Sequence, residues 1–236
     1  MEPKEAFPYK EPSEEILKKY AHIFEIEGQL PSRLSKTIFD KLFSGIILVF
    51  SIPILILVKL SYVIEGLVVK ENSGPMFFYY WGVSAGKKIP KYKIRLIKEK
   101  YIDSELAKEN DWLAYSAEWK PETRTYTGTF VKNFYIDELP QLFSILKGDM
   151  AFVGPRPLSV MHYERDLQQG NITRKLLKGG LLGLGHIRKG HDDFGSPIYE
   201  YEYIDNYINL PWYRLILMDL NIIFKGFILV LKGEGL

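Results

Sequence analysis

The sequence predicts an α+β fold dominated by helices. A re-entrant helix-break-helix enters the membrane near the N-terminus, amphipathic helices lie at the interface, and a small domain on the cytoplasmic side follows. Three features lead there. An aliphatic run begins at Leu42, is interrupted by Pro53 and has basic residues on both sides. An aromatic, strand-like stretch follows and turns at Gly86 and Pro90. Beyond Ile102 the chain reads mainly as helices, closing on LPWYRLILMDLNIIFKGFILVLKGEGL, an apolar tail punctuated by charge.

Composition sets the outer limits. With 236 residues, 47% hydrophobic and 25% charged, the chain can bury a good-sized core and is not disordered. A net charge of +2 is too small to mark a nucleic-acid binder, so no nucleic-acid partner is expected. The absence of cysteine excludes disulfides, thiolate metal sites and a cysteine nucleophile, and suits a reducing compartment. Only four histidines are present, so any metal is expected to be a hard cation held by oxygen.

Taken in order, residues 1–34 are a polar leader, with one short amphipathic helix in SEEILKKYAHIFEI started by Ser13 and its following acids. Residues 35–70 form the membrane segment. Its uninterrupted run from Gly45 to Val58 falls short of the ~20 residues a spanning helix wants. Pro53 removes a helical hydrogen bond and predicts a kink, and Ser51 can bond a carbonyl that the kink frees. Arg33, Lys36 and Lys41 precede the run and Lys59 and Lys70 follow it, so both flanks favour the cytoplasmic side. A hairpin dipping into one leaflet satisfies length, proline and charge together. A buried core helix and a straight span are the alternatives.

Residues 71–236 make the remaining domain. Within it, 74–98 read as a short hairpin or extended segment followed by an alternating basic face of Lys91, Lys93 and Arg95. Residues 102–120 read as a helix carrying Trp112, Tyr115 and Trp119 on a packing stripe. Leu139, Leu142, Phe143 and Leu146 mark a further helix, stopped by Gly148. Another helix is expected over 158–178, with loops at GGLLGLG and KGHDDFGSP, neither of which fits a dinucleotide or P-loop pattern. The tail is read as an interfacial helix with Pro211 in its first turn and Trp212 and Tyr213 at headgroup level.

The chemistry concentrates in FYIDELPQLFSILKGDMAFVGPRP, residues 134–157. Asp137 and Glu138 open a helix, whose N–H groups and partial positive charge stabilise carboxylates. Neighbouring helical positions point about 100° apart, so the two acids cannot treat one ligand alike. One can attack a phosphorus while the other holds Mg²⁺. Arg156 is fixed between Pro155 and Pro157, and guanidinium suits bidentate phosphate binding. Taken alone, an Asp-Glu pair is as compatible with ordinary helix capping.

DELPQLFSILKGDMAFVGPRPL resembles the signature of the bacterial sugar transferases, the monotopic phosphoglycosyl transferases. The likeness takes in KTIFDKLF, GPMFF, KYKIR and the closing LKGEG, across roughly residues 35–236. It implies a monotopic enzyme of the bacterial inner membrane, its catalytic domain facing the cytoplasm. The implied reaction moves a sugar-1-phosphate from a UDP-sugar to a polyprenol (undecaprenyl) phosphate and releases UMP, the first step of a glycan assembly. Carried over, Asp137 is the nucleophile, Glu138 binds Mg²⁺, and Arg156 grips phosphate with Lys132 and Arg95 as further substrate-binding residues. Ser51 and Pro53 form the membrane helix break. A homo-oligomer is compatible with all of this. Several strings depart from the family pattern: VKNFYIDE replaces LRK-T-S-LDE, which puts Lys132 at the arginine position. KIRLI replaces K-F-R-S-M, GGLLGLGHIRKG replaces G-x-T-G-W-A-Q, and Ile52 separates Ser51 from Pro53. These departures bear on substrate identity more than on reaction type. The alternative is a catalytically inactive membrane-anchored scaffold that binds polyprenol phosphate or nucleotide sugar, and a phosphatase acting on lipid phosphates is a third reading.

Overall fold

The computed structural model describes residues 11–188 and 196–232. Part of the loop expected at KGHDDFGSP, and the closing GEG, lie outside those residues. The leader folds back on the body as two short helices, α1 (Glu14–Lys19) and α2 (Ala21–Phe24), where one was expected. Ser13 caps α1, accepting from the Ile16 amide. The chain breaks at Tyr20 because Tyr20 and Ile23 turn into the main core. Arg33 then ties the leader to the C-terminal half, donating to the carbonyls of Tyr207 and Leu210 at 2.7 Å each.

The membrane segment is a single helix, α3 (Leu34–Val68), continuous through Ser51 and Pro53. This differs from the helix-break-helix expected there. Pro53 withholds only the hydrogen bond it would donate to Val49, and the neighbouring turns keep their helical form. The Ser51 hydroxyl donates to the Ile47 carbonyl at 2.8 Å, one turn back, rather than to the carbonyl orphaned by the proline. Such back-bonding favours bending without breaking.

By length and composition α3 could cross a membrane, yet both its ends dock on one body. At the start, Lys36 is buried between Asp40 at 2.6 Å and Asp219 at 2.9 Å. Towards the end, the Tyr62 hydroxyl donates to the Arg95 carbonyl, and Glu65 accepts from the Tyr126 and Thr127 amides at 2.7 and 2.8 Å. Between them Phe43, Ile47 and Leu48 pack on the main core. The opposite side is open: Val49, Phe50, Leu57, Ile64 and Leu67 are all exposed. A helix that buries one stripe and leaves a long aliphatic one uncovered has a second apolar partner to meet.

Beyond α3 comes the hairpin of β1 (Phe77–Ser84) and β2 (Lys87–Ile94), turning at Gly86 as expected, whereas Pro90 makes no turn but lies within β2 opposite Trp81, with Lys91 and Lys93 on the same strand. Its two-residue turn, Ala85-Gly86, has both residues at positive φ (49° and 70°), the conformation that matches the twist of a tight hairpin. The helix expected over 102–120 divides into α4 (Ser104–Lys108) and a 3₁₀ segment, Trp112–Trp119. Asp111 starts the second by accepting from the Leu113 amide. Helix α5 (Tyr126–Asn133) precedes a 3₁₀ stretch, Ile136–Gln141, which runs into α6 (Leu142–Lys147). Gly148, at φ 90°, ends α6 as anticipated.

Strands β3 (Ala151–Val153) and β4 (Leu158–Ser159) flank the Gly-Pro-Arg-Pro turn. The region expected as one helix holds β4, α7 (Val160–Gln168) and α8 (Thr173–Leu176), interrupted at Gly170, which sits at φ 81°. Within GGLLGLG, taken as loop, Gly180–Leu182 form β5, parallel to β3. A Cβ at Gly180 would lie 2.1 Å from the Gly154 nitrogen, so only glycine permits the approach. Helices α9 (Ile198–Asn209) and α10 (Trp212–Leu231) complete the described chain. Helix α10 buries Leu215, Asp219 and Ile222 and shows Leu217, Phe224 and Phe227 outward, an apolar outer face like that of α3.

Candidate active site

The dyad is placed by a chain of local decisions. Glu65 and Thr125 cap α5, the latter accepting from the Gly128 amide at 2.8 Å. After α5 the backbone reverses at Tyr135, which takes a left-handed conformation (φ 57°, ψ 20°). For a bulky side chain that costs about 1–3 kcal/mol, and the surroundings must hold it there. The reversal sends Ile136–Gln141 into a 3₁₀ turn with Asp137 and Glu138 at its start. The carboxylates thus sit in the first helical turn, as expected, but on a tighter winding. Both are buried, at 3% and 2% exposure, so this is not a solvated cap.

Lys93 reaches the pair from β2. Its ammonium lies 3.1 Å from Asp137 Oδ2, 3.5 Å from Glu138 Oε1 and 3.7 Å from Glu118 Oε1. Arg156 Nη2 pairs with Glu138 Oε1 at 2.7 Å. Its other terminal nitrogen donates to the Tyr135 hydroxyl at 3.0 Å and meets His186 Nε2. Tyr135 in turn donates to Glu138 Oε2 at 2.8 Å.

The two acids are therefore in different electrostatic settings. Burial pushes the Asp137 carboxyl up, and Lys93 only partly offsets it. Burial also works against Glu138, but Arg156, with Lys91 and Lys93, prevails and holds it well below the usual carboxylate range. Burial and the adjacent Arg156 hold His186 well below its ordinary value, so its imidazole is neutral and accepts from the guanidinium.

Lys91, on the same strand, is buried and donates to the Pro157 carbonyl at 3.3 Å. Burial, aided by Arg156, pushes its ammonium down to about 7. A lysine whose folded value lies below its unfolded value weakens the fold fully below that folded value. The penalty is relieved as pH rises from about 7 towards 10. Lys91→Met is expected to raise the melting temperature at pH 6 and to have a much smaller effect at pH 9. Equal shifts at both values would contradict the account.

Of the residues singled out in the sequence, Asp137, Glu138 and Arg156 come together. Lys132 lies at the edge, its ammonium 4.3 Å from the Trp119 ring centre, with Glu118 and Asp137 acting on its charge. Arg95 is not part of the cluster. Its guanidinium is buried and donates to the carbonyls of Pro75, Ile97 and Asn72 at 2.6–2.9 Å, fastening the segment that leaves α3. Ser51 and Pro53 lie within α3, as described above. Four participants went unassigned. Lys93 was legible only as one member of a basic strand face, and nothing in sequence marks Glu118, Tyr135 or His186.

The Gly-Pro-Arg-Pro turn is held on several sides. The Gly154 amide donates to Leu182 and the Pro155 carbonyl accepts from Gly180. Arg174 Nε donates to the Arg156 carbonyl at 2.8 Å. A cleft opens beside Arg156, lined by Gly154, Gly183, His186, Tyr199 and Glu200 among others. For a metal, no three ligating side chains converge among the described residues. The dyad does fit Mg²⁺ in kind, since that ion takes one or two carboxylates and completes its shell with substrate phosphate and water.

A buried acid pair facing lysine and arginine thus lies on the body to which the apolar helix α3 is fastened. The chain belongs to the bacterial sugar transferase family, whose signature matches residues 31–233. It is 31% identical over 215 residues to the undecaprenyl-phosphate galactose phosphotransferase of Salmonella typhimurium, covering 86% of this chain and 42% of that protein. It is 35% identical over 204 residues to the UDP-glucose:undecaprenyl-phosphate glucose-1-phosphate transferase of Klebsiella pneumoniae, covering 82% and 40%. A putative undecaprenyl-phosphate N-acetylgalactosaminyl 1-phosphate transferase of Bacillus subtilis is 32% identical over 147 residues, covering 61% and 74%. The chain spans less than half the length of the first two.

Proposed function

We propose that this chain transfers a sugar-1-phosphate from a UDP-sugar to undecaprenyl phosphate, releasing UMP and starting a glycan. The observation that carries this reading is the unequal treatment of the dyad. Glu138 has both oxygens engaged, by Arg156 and Tyr135, whereas among the described residues Asp137 has Lys93 alone as an ion-pair partner. A desolvated carboxylate with raised basicity is a better nucleophile than one locked by a guanidinium.

An Asp137 oxygen attacks the phosphorus that bears the sugar. The bond from that phosphorus to the bridging oxygen breaks, and UMP departs with the electron pair. A phosphate oxygen of the polyprenol phosphate then attacks the same phosphorus and frees Asp137 as carboxylate. Arg156 and Lys132 bind the phosphates, with the cleft beside Arg156 available to the rest of the donor. Bound at Glu138, Mg²⁺ supplies positive charge against the diphosphate. Lys93 keeps Asp137 ionised between turnovers.

The test uses a panel of UDP-sugars with Mg²⁺ and no lipid acceptor. One of them is expected to release UMP in an amount close to that of the protein, leaving a phosphosugar mass on the peptide holding Asp137. Inorganic phosphate released from a lipid phosphate would favour a phosphatase, and binding without release would favour a scaffold.

The same reading seats the protein on the cytoplasmic face of the inner membrane, with the uncovered stripes of α3 and α10 in one leaflet. Docking of both ends of α3 on one body supports it, as do the basic flanks. Cysteines placed at Lys36 are shielded by burial, so Lys41 and Lys70 are the better probes. Both are expected to react with a membrane-impermeant reagent only from the cytoplasmic side. Opposite accessibility would mean a spanning helix.

A further inference from the structure

We infer that Tyr135 is a positioning residue for the metal-binding carboxylate, a role that rests on the reading of Glu138 given above. Its hydroxyl closes a three-membered ring of contacts. Arg156 Nη1 donates to it at 3.0 Å, it donates to Glu138 Oε2 at 2.8 Å, and Arg156 Nη2 donates to Glu138 Oε1 at 2.7 Å. A phenol has one proton. Spent on Glu138, it leaves the Leu181 carbonyl, 3.4 Å away, as a secondary partner at most. The hydrogen bonds therefore run in one direction, from arginine to tyrosine to glutamate.

This arrangement fixes the plane of the Glu138 carboxylate from both ends. One oxygen is held by guanidinium and the other by phenol, so the remaining lone pairs face a set direction. Partners that orient a metal-ligating carboxylate govern how well the metal is held. Tyr135 makes these contacts from a left-handed backbone, at the reversal that leads into the dyad. Of the described non-glycine residues, only Ala85, Asn110 and Tyr135 have positive φ, and only Tyr135 contacts the dyad. The strain sits where the geometry is used.

Tyr135→Phe keeps the ring and deletes the one hydroxyl. Calorimetric titration of Mg²⁺ into the substrate-free protein is expected to show affinity weakened about 10–100-fold, the range usual for partners of metal ligands. The Mg²⁺ concentration giving half-maximal UMP release should rise in step, while the KM for the UDP-sugar at saturating Mg²⁺ stays nearly constant. Tyr135→Gly, which adopts the left-handed backbone freely, is the second variant and should bind Mg²⁺ as weakly. Unchanged Mg²⁺ affinity in a folded Tyr135→Phe protein overturns the assignment, as does weakening in the Gly variant alone, which would locate the role in the packing of the ring and not in its hydroxyl. The calorimetric result stands apart from turnover. Wild-type protein that binds Mg²⁺ but releases no UMP would defeat the proposed reaction, and a weakened Tyr135→Phe would still support the positioning role.

Discussion

Asp137→Asn is expected to lower turnover about a thousandfold or more and to abolish the phosphosugar adduct, while leaving UDP-sugar binding nearly intact. The substitution is close in shape, keeps the 3₁₀ turn and removes only the charge that makes the oxygen nucleophilic. Loss of a covalent nucleophile costs about as much as losing the whole catalytic unit it serves. In Glu138→Gln, by contrast, the attacking oxygen survives, so raised Mg²⁺ should recover part of the activity. Mass spectrometry of trapped protein and a UMP-release assay read both effects. Full turnover by Asp137→Asn would end the covalent scheme.

The second large effect is structural. Lys36→Met strands Asp40 and Asp219 in the interior where α3 crosses α10, with the Tyr203 hydroxyl, 3.0 Å from Asp219 Oδ1, as the remaining donor to that residue. Breaking a buried ion pair by removing one partner costs about 3–5 kcal/mol. Thermal melts in detergent should show that loss, and a triple change adding Asp40→Asn and Asp219→Asn should recover most of it. A single Lys36→Met protein as stable as wild type would show that the cluster contributes nothing.

Much of this was legible in the amino-acid order. A Gly turn in a strand-like stretch marked the hairpin, helical spacing with Gly148 marked α6, and adjacent acids followed by a rigid arginine marked residues that the fold gathers into one buried cluster. The misses share a physical cause: contacts made across long stretches of chain. Gly180–Leu182 is a strand because β3 lies beside it, and three residues carry no period of their own. His186 meets Arg156, 30 positions away, and Glu118 meets Lys93, 25 positions away, on β2. The family likeness implies Arg95 as a substrate ligand, whereas the carbonyls of Asn72, Pro75 and Ile97 that occupy its guanidinium are not visible in sequence. Pro53 was read as a break since proline forbids one hydrogen bond, whereas helix α3 tolerates the loss.

Glu65 joins two things that are usually discussed apart. It belongs to the apolar helix, yet its carboxylate caps α5, the helix from which the chain turns into Asp137. Together with Lys36 and Tyr62, that contact ties the level of the dyad to the level of α3. On the proposed reading, a dyad held at a fixed level would meet phosphates at headgroup height and miss those free in solution, so acceptor choice would be partly a matter of elevation.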